Sequence, residues 1–229
     1  VADVPFAMKS PAYTLQQNVM GTEALMAAVL ETQTRMHCFK RVVVQSSESV
    51  YGHAFPGKIP EDATLNPTNI YGASKAAQEL VARSYYHAYG LPVTIIRSST
   101  LFGPGMRQNQ VVTIFLRQAL RNQPITVHGE GKQSRDFNYL DDAVDGILAV
   151  LGCDAATGDV FNIAGDNEVS VIELAHLCIE VTGSRSDIQH LPQRPGEADL
   201  HLTPNITHAR LVLDYQPQVP FADGLARTA

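Results

Sequence analysis

Tyr71 and Lys75 stand four positions apart in the run YGASK, so on a helix their side chains share one face, one turn apart. That spacing lets a phenol and an ammonium group work as a pair. A phenol with a pKa of about 10 is a poor base at neutral pH, but a cation a few ångströms away favours the phenolate and lowers that value by about a unit or more. The expectation is that Lys75 depresses the Tyr71 pKa and makes Tyr71 a usable general base. A hydroxyl at the end of the preceding strand would face the same crevice, because open α/β sheets bind ligands beyond the carboxyl ends of their strands. In SSESVYG, residues 46–52, that hydroxyl is assigned to Ser47.

Such side chains need elements to hold them. Residues 14–31 carry Val19, Leu25, Met26, Val29 and Leu30 at helical spacing, which predicts an amphipathic helix that Gly21 weakens. RVVVQ, residues 41–45, reads as a buried strand ending in a polar Ser-Ser loop. A loop rich in Gly and Pro spans 52–67, a second helix is predicted over 70–89 with Gly90 closing it, and LPVTIIRSS forms the next strand over 91–99. Strand, helix and strand at this spacing imply a right-handed crossover in a parallel sheet. Beyond it, helices at 111–121 and 140–151, the strands PITVHG and DVFNIAG and the helical SVIELAHLCIEVTG make a looser α/β mixture, read as a smaller lobe packed on the first.

Composition excludes several classes. The 229 residues carry 17 basic and 23 acidic side chains, a net charge of −6, with no clustered Lys and Arg of the kind that marks a nucleic-acid footprint. Hydrophobic residues at 45% against 17% charged ones suit a buried core rather than a disordered chain. No stretch approaches the roughly 18 apolar residues of a membrane helix. Cys38, Cys153 and Cys178 are odd in number and widely spaced, which fits reduced thiols and a cytoplasmic location. No HExxH, CxxC or paired histidines at ligand spacing occur, so no metal is expected.

Seven segments in order carry a resemblance: NVMGT (18–22), SSESVYG, the Tyr71–Lys75 motif, RSSTLFGPG (97–105), GEGKQSRDFNYLDD (129–142), FNIAG (161–165) and RPGEAD (194–199). Together they resemble the extended short-chain dehydrogenase/reductase family, in particular its NAD-dependent nucleotide-sugar epimerases and dehydratases. The resemblance implies an α/β fold: a Rossmann-like doubly wound parallel sheet, incomplete in its N-terminal half, with a smaller α/β substrate-binding lobe. Residues 1–103 would be the C-terminal half of the NAD-binding domain, and 104–229 mainly the substrate lobe with segments returning to the first. Tyr71 would exchange a proton with a sugar hydroxyl, Lys75 would hold the nicotinamide ribose and lower the Tyr71 pKa, and Ser47 would hold the reacting oxygen. Ser46 and Ser99 would join Tyr71 and Lys75 around a tightly bound NAD, while Thr100 contacts the nucleotide-sugar. Arg135 and Arg194 would clasp its pyrophosphate, a task suited to a planar fork that cannot lose its charge. The strand over 125–128 would face the nucleotide base, and helices 14–31 and 70–89 would pair two copies into a homodimer.

Departures from the family pattern are equally informative. The G-x-G-x-x-G fingerprint is absent, since Gly129 and Gly131 are followed by Ser134 where a third Gly is required. The resemblance places that fingerprint upstream of Val1, so the chain reads as an N-terminally truncated fragment that should hold its cofactor badly. Dehydratases and decarboxylases carry a Glu directly before VYG, and dehydratases an Asp ahead of that Glu; here Ser49 precedes Val50, and Glu48 lies one position earlier. Neighbours in an extended loop point in different directions, which argues against Glu48 as a substitute. Thr100 stands where many relatives have an Asn that contacts the diphosphate. The expected activity is therefore 4-epimerisation of UDP-glucose and UDP-galactose through a transient 4-keto sugar. The alternatives are a dTDP-glucose 4,6-dehydratase or UDP-glucuronate decarboxylase reaction, or a non-catalytic dinucleotide-binding module.

Overall fold

The computed structural model describes residues 1–36, 39–52, 57–193 and 201–229. The chain opens with α1 (Val4–Lys9) and α2 (Pro11–Leu15), and α2 runs through a π-helical turn (Gln16–Met20) into α3 (Gly21–Met36). The helix expected over 14–31 is thus longer at both ends and passes through Gly21 without a break. Its widened turn is anchored from inside: the Asn18 side chain donates to Ser74 Oγ (2.8 Å) on the helix beneath, and Thr22 Oγ1 donates to the Asn18 carbonyl (2.7 Å).

Next come β1 (Val42–Ser47), a 3-10 turn (Glu48–Val50), α4 (Ile70–Tyr89) and β2 (Val93–Ser98). The boundaries of α4 follow from its caps. The Asn69 side chain accepts from Gly72 N, and Gly90, at φ +69°, closes the helix in the left-handed region. Strand β1 extends two residues past its expected end, because its ladder to β2 continues in parallel register from Val42↔Val93 to Ser47↔Ser98. β2 is buried along its whole length because it is central: on its other side it pairs in parallel with β7 (Val160–Ile163). A strand from the second half of the chain thus lies in the first sheet.

Helices cover both faces of that sheet. Alternation along β2 sends Ile95 to one face, where it packs with Met26, Val29 and Ala82 of α3 and α4. Ile96 goes to the other face, with Val150 of α6 (Leu140–Gly152) and Ala209 and Leu213 of α8 (Thr207–Leu213). α3 and α4 pack on each other and still leave Leu25, Leu80 and Tyr89 exposed, as is Met20 at the end of the π-helical turn.

A second core surrounds Phe102, Phe115, Phe137, Leu174 and Leu225. It is built from β3 (Thr100–Phe102) paired with β6 (Phe137–Tyr139), β4 (Ile125–His128) paired with β9 (Ile188–Leu191), and helices α5 (Val111–Leu120), α7 (Val171–Thr182) and α9 (Phe221–Thr228). The short strand β5 (Ser134–Arg135) lies between β8 (Val169–Ser170) and β10 (His201–Leu202). β3 leaves the end of β2 directly, so the two cores meet at the carboxyl edge of the first sheet.

Candidate functional site

Ser47 and Ser98 end adjacent strands at the same level, and a cavity of about 410 Å³ opens beyond them. Ser46, Ser47, Tyr71, Lys75, Ser99, Thr100 and Arg135 all line it. They come together from four separate stretches of chain, beyond the carboxyl ends of the strands of a parallel sheet. Arg194 lies outside the described residues.

Tyr71 reaches Ser47 because α4 begins unusually close to the turn that follows β1. A Cβ on Gly72 would stand 2.4 Å from the Ser49 carbonyl oxygen, so only glycine permits that approach. Burial pushes the Tyr71 phenol above its ordinary pKa; the nearby Ser47 hydroxyl, itself paired with Ser49 Oγ (3.2 Å), and the charge of Arg107 pull it down, and Glu48 pushes it up. Burial wins. Lys75 is not among the groups that act on the phenol in this chain: Nζ donates to the Gln45 carbonyl (2.6 Å) and to Gln78 Oε1 (2.8 Å). One helical face is shared, but the long side chain crosses to the β1 backbone rather than running along α4 to the phenol. Burial also lowers the Lys75 pKa, with Glu79 opposing.

Successive residues of a strand alternate, and Ser46 shows it. Its hydroxyl is committed to Glu79 Oε1. Glu79 in turn holds the buried Arg97 in a fork, with Nε 3.0 Å from Oε1 and Nη2 2.7 Å from Oε2. Ser99 lies beside Asp136, whose carboxylate accepts from the backbone N–H groups of Gly165 (2.7 Å) and Asn167 (2.9 Å) and is pushed up to about 6 by burial.

Glu48 corrects the expectation from extended-loop geometry. The chain after Ser47 coils into the 3-10 turn, which carries the Glu48 side chain into the cavity wall instead of away from it. The residue is 3% exposed. Oε1 accepts from Thr100 Oγ1 (3.1 Å) and lies 3.8 Å from Arg135 Nη1, while Oε2 is buried without a hydrogen-bond partner among the described residues. Burial drives its pKa up to about 8; Arg135 and the Thr100 hydroxyl oppose the rise, and Asp136 adds to it.

Two further residues were not anticipated. Arg107 lines the cavity and acts on the Tyr71 phenol, and Asn109 lines it beside Val111. The one sequence signal for Arg107 is its place just past GPG, where a strand gives way to a loop at the carboxyl edge. Asn109, Val111 and Arg135 also belong to a second cavity of about 330 Å³, lined by Thr126 and His128 of β4. The two cavities share a wall, and Arg135 is its charged member. Among the described residues no group of three or more His, Cys, Asp or Glu gathers as a metal site.

The chain resembles known proteins along most of its length. The chain is 32% identical to the uncharacterized UDP-glucose epimerase YtcB of Bacillus subtilis, over 91% of this chain and 64% of that protein. It is 33% identical to a dTDP-glucose 4,6-dehydratase of Streptomyces niveus, over 96% of this chain and 63% of that one. It therefore spans less than two thirds of the length of these curated relatives. Among solved structures, the UDP-glucose 4-epimerase of Thermotoga maritima with UDP-glucose superposes with a TM-score of 0.91 at 26% identity, covering 99% of this chain and 72% of that one. The dTDP-glucose 4,6-dehydratase of Streptomyces venezuelae, solved with NAD bound, gives a TM-score of 0.90 at 31% identity, covering 100% and 69%. The fold is the Rossmann-like α/β arrangement of those enzymes. Residues 1–164 match the family model described as NAD dependent epimerase/dehydratase family, and the chain belongs to that family.

Proposed function

We propose that this chain carries the sugar-reacting part of an NAD-dependent nucleotide-sugar 4-epimerase, acting on UDP-glucose and UDP-galactose through a 4-keto sugar. The observation that supports it is the pair of cavities joined at Arg135: the Ser47 and Tyr71 hydroxyls face one, and the β4 edge, Thr126 and His128, faces the other. A sugar in the first and a base in the second would put the linking pyrophosphate at the guanidinium, whose fork matches phosphate oxygens.

The donor set suits the nicotinamide end of the cofactor. Tyr71 offers a hydroxyl, and Lys75 commits two of its three N–H donors within the chain, to Gln45 and Gln78, leaving the third for a ribose oxygen. Bound NAD would supply the hydride acceptor and donor. Ser47 would hold the reacting sugar oxygen, and Tyr71 would take and return its proton. Burial holds the Tyr71 phenol protonated in this chain, the form that gives a proton to a keto oxygen; to take the proton of a sugar hydroxyl it would first release its own to solvent.

Epimerisation is favoured over elimination by the cavity wall. Loss of water across a carbon–carbon bond needs an acid and a base; of the two carboxyls on the wall, Asp3 is tied to the Phe6 N–H and the Asn109 side chain, and Glu48 is followed by Ser49 rather than by a second acid. The second reading, 4,6-dehydration, draws support from the placement of Glu48 itself and from the Streptomyces relatives. Mass spectrometry of the product separates them: epimerisation conserves mass, dehydration removes water and decarboxylation removes carbon dioxide. Replacement of Tyr71 by Phe should lower turnover by at least about a hundredfold with unchanged circular dichroism. Turnover within a few fold of the parent would overturn the proton-transfer role.

A further inference from the structure

We propose that Asp136 and Glu168 are positioning residues for Arg135: through them the turn that follows β7 fixes the backbone from which the guanidinium reaches a ligand. The inference rests on the nucleotide-sugar reading above and gives its phosphate-binding arginine a support. Arg135 Nη1 stands 3.8 Å from Glu48 Oε1, beyond hydrogen-bond distance, so the head is aimed from its own stem. That stem starts from β5, which is only two residues long and has little ladder to steady it. A planar fork meets phosphate oxygens in parallel only from a fixed origin and direction, and a displacement of about 1 Å is enough to spoil the match.

Residues 165–168 supply the missing support. Side chains alternate here: Gln133, Arg135 and Phe137 line the base-side cavity, and Ser134 and Asp136, between them, turn the other way. On that far side the fully buried Asp136 carboxylate accepts from Gly165 N (2.7 Å) through Oδ1 and from Asn167 N (2.9 Å) through Oδ2. The Asn167 side chain brackets the next residue, accepting from Phe137 N (3.3 Å) and donating to the Phe137 carbonyl (2.8 Å). Glu168 accepts from the Ser134 hydroxyl, with His201 Nδ1 2.7 Å from the same oxygen. The approach is so close that a Cβ on Gly165 would stand 2.1 Å from the Phe137 carbonyl oxygen. The turn is braced from outside as well, because Asp166 holds Lys58 and Arg210. Both neighbours of Arg135 are thus tied to one braced turn, while its own side chain is left to a ligand.

Titration calorimetry of the 229-residue chain with UDP and UDP-glucose, and with uridine as a phosphate-free probe, tests this. Asp136→Asn keeps the shape but sets an amide donor against a backbone N–H; it should weaken UDP and UDP-glucose about tenfold and leave uridine within about twofold. Glu168→Ala, at a half-exposed position where folding is least at risk, should act in the same direction by about fourfold. With Arg135 replaced by Ala, neither substitution should cost UDP more than about a further twofold, because the group they aim is gone. A role in stability alone predicts otherwise. Equal loss for uridine and UDP, the same loss with and without the guanidinium, or UDP binding unchanged in a folded variant would each overturn the assignment and leave the nucleotide-sugar reading in place. If Asp136→Asn does not fold, Glu168→Ala and its cycle with Arg135→Ala decide by the same criteria. A parent chain that binds neither UDP nor UDP-glucose would remove the nucleotide-sugar reading, and this inference with it.

Discussion

Arg135 shows how much one side chain can be asked to do. It lines both cavities, offsets the burial of Glu48, and is 38% exposed, so its head remains free to meet a ligand. Lysine would keep the charge but lose the fork. Arg135→Lys should therefore weaken UDP and UDP-glucose alike by about tenfold, the worth of one charge-assisted hydrogen bond, in the same calorimetric titration. A loss confined to UDP-glucose would move Arg135 from the phosphates to the sugar. At this scale the sequence was partly legible. Four-residue spacing correctly put Tyr71 and Lys75 on one wall, since helical periodicity fixes which face a residue occupies. It could not tell that Lys75 Nζ would reach the Gln45 carbonyl, because a flexible four-carbon stem has several partners within its range. Glu48 was misread for a different reason: the direction of a side chain after a strand depends on the next few dihedrals, and a 3-10 turn there reverses what an extended loop would give.

Two glycines in helices make opposite predictions for the same substitution. Gly21 opens α3 with φ −64°, and a Cβ there would meet nothing within 4 Å. Gly21→Ala should stabilise the fold by about 0.5–1 kcal/mol, the helix-propensity gain alone. Gly72 gains the same propensity in α4, but its Cβ would press on the Ser49 carbonyl at 2.4 Å and on Pro67 Cβ at 3.1 Å. A backbone oxygen cannot swing aside as a flexible side chain can, so overpacking of about 1–3 kcal/mol wins. Gly72→Ala should lower the urea midpoint and, by lifting the first turn of α4, separate Tyr71 from Ser47; a variant as stable as the parent would show that the turn has room to yield. Nothing in the letters distinguishes these glycines. Helix existence was legible from periodicity and caps, as the agreement of 70–89 with α4 shows. What lies against each helix depends on distant segments, and the same limit hid the pairing of β7 with β2, whose partner is some sixty positions away.

Over the whole molecule, the site sits where two apolar cores meet, and that placement has a thermodynamic signature. Carboxyl groups at the seam are drier than those on the surface, so their pKa values move in opposite directions. Glu48, ordinarily 4.5, is pushed up to about 8, and Asp136, ordinarily 3.8, up to about 6. Both bind a proton more tightly in the folded chain than in the unfolded one. Their contribution is complete below the unfolded values and is lost as pH rises through the folded ones. Surface acids run the other way: Asp3, held low chiefly by the Phe6 N–H, and Glu173, held low by Ser170, contribute at neutral pH and lose that contribution as pH falls below about 4. They are exposed and each is worth only tenths of a kcal/mol, whereas keeping Glu48 protonated at pH 7 costs about 3 kcal/mol relative to pH 4. The buried pair should therefore dominate, giving maximal stability at about pH 4 and a decline towards pH 8. For a chain of this size, about 3 kcal/mol corresponds to a fall in Tm of about 6–12 °C. Calorimetric melts across that range should show the decline in the parent and a flatter profile in Glu48→Gln, with the remaining slope belonging to Asp136. A Tm that climbs from pH 5 to 8, or a variant as steep as the parent, would mean that Glu48 is ionised in the folded chain and that the seam between the two cores is wet.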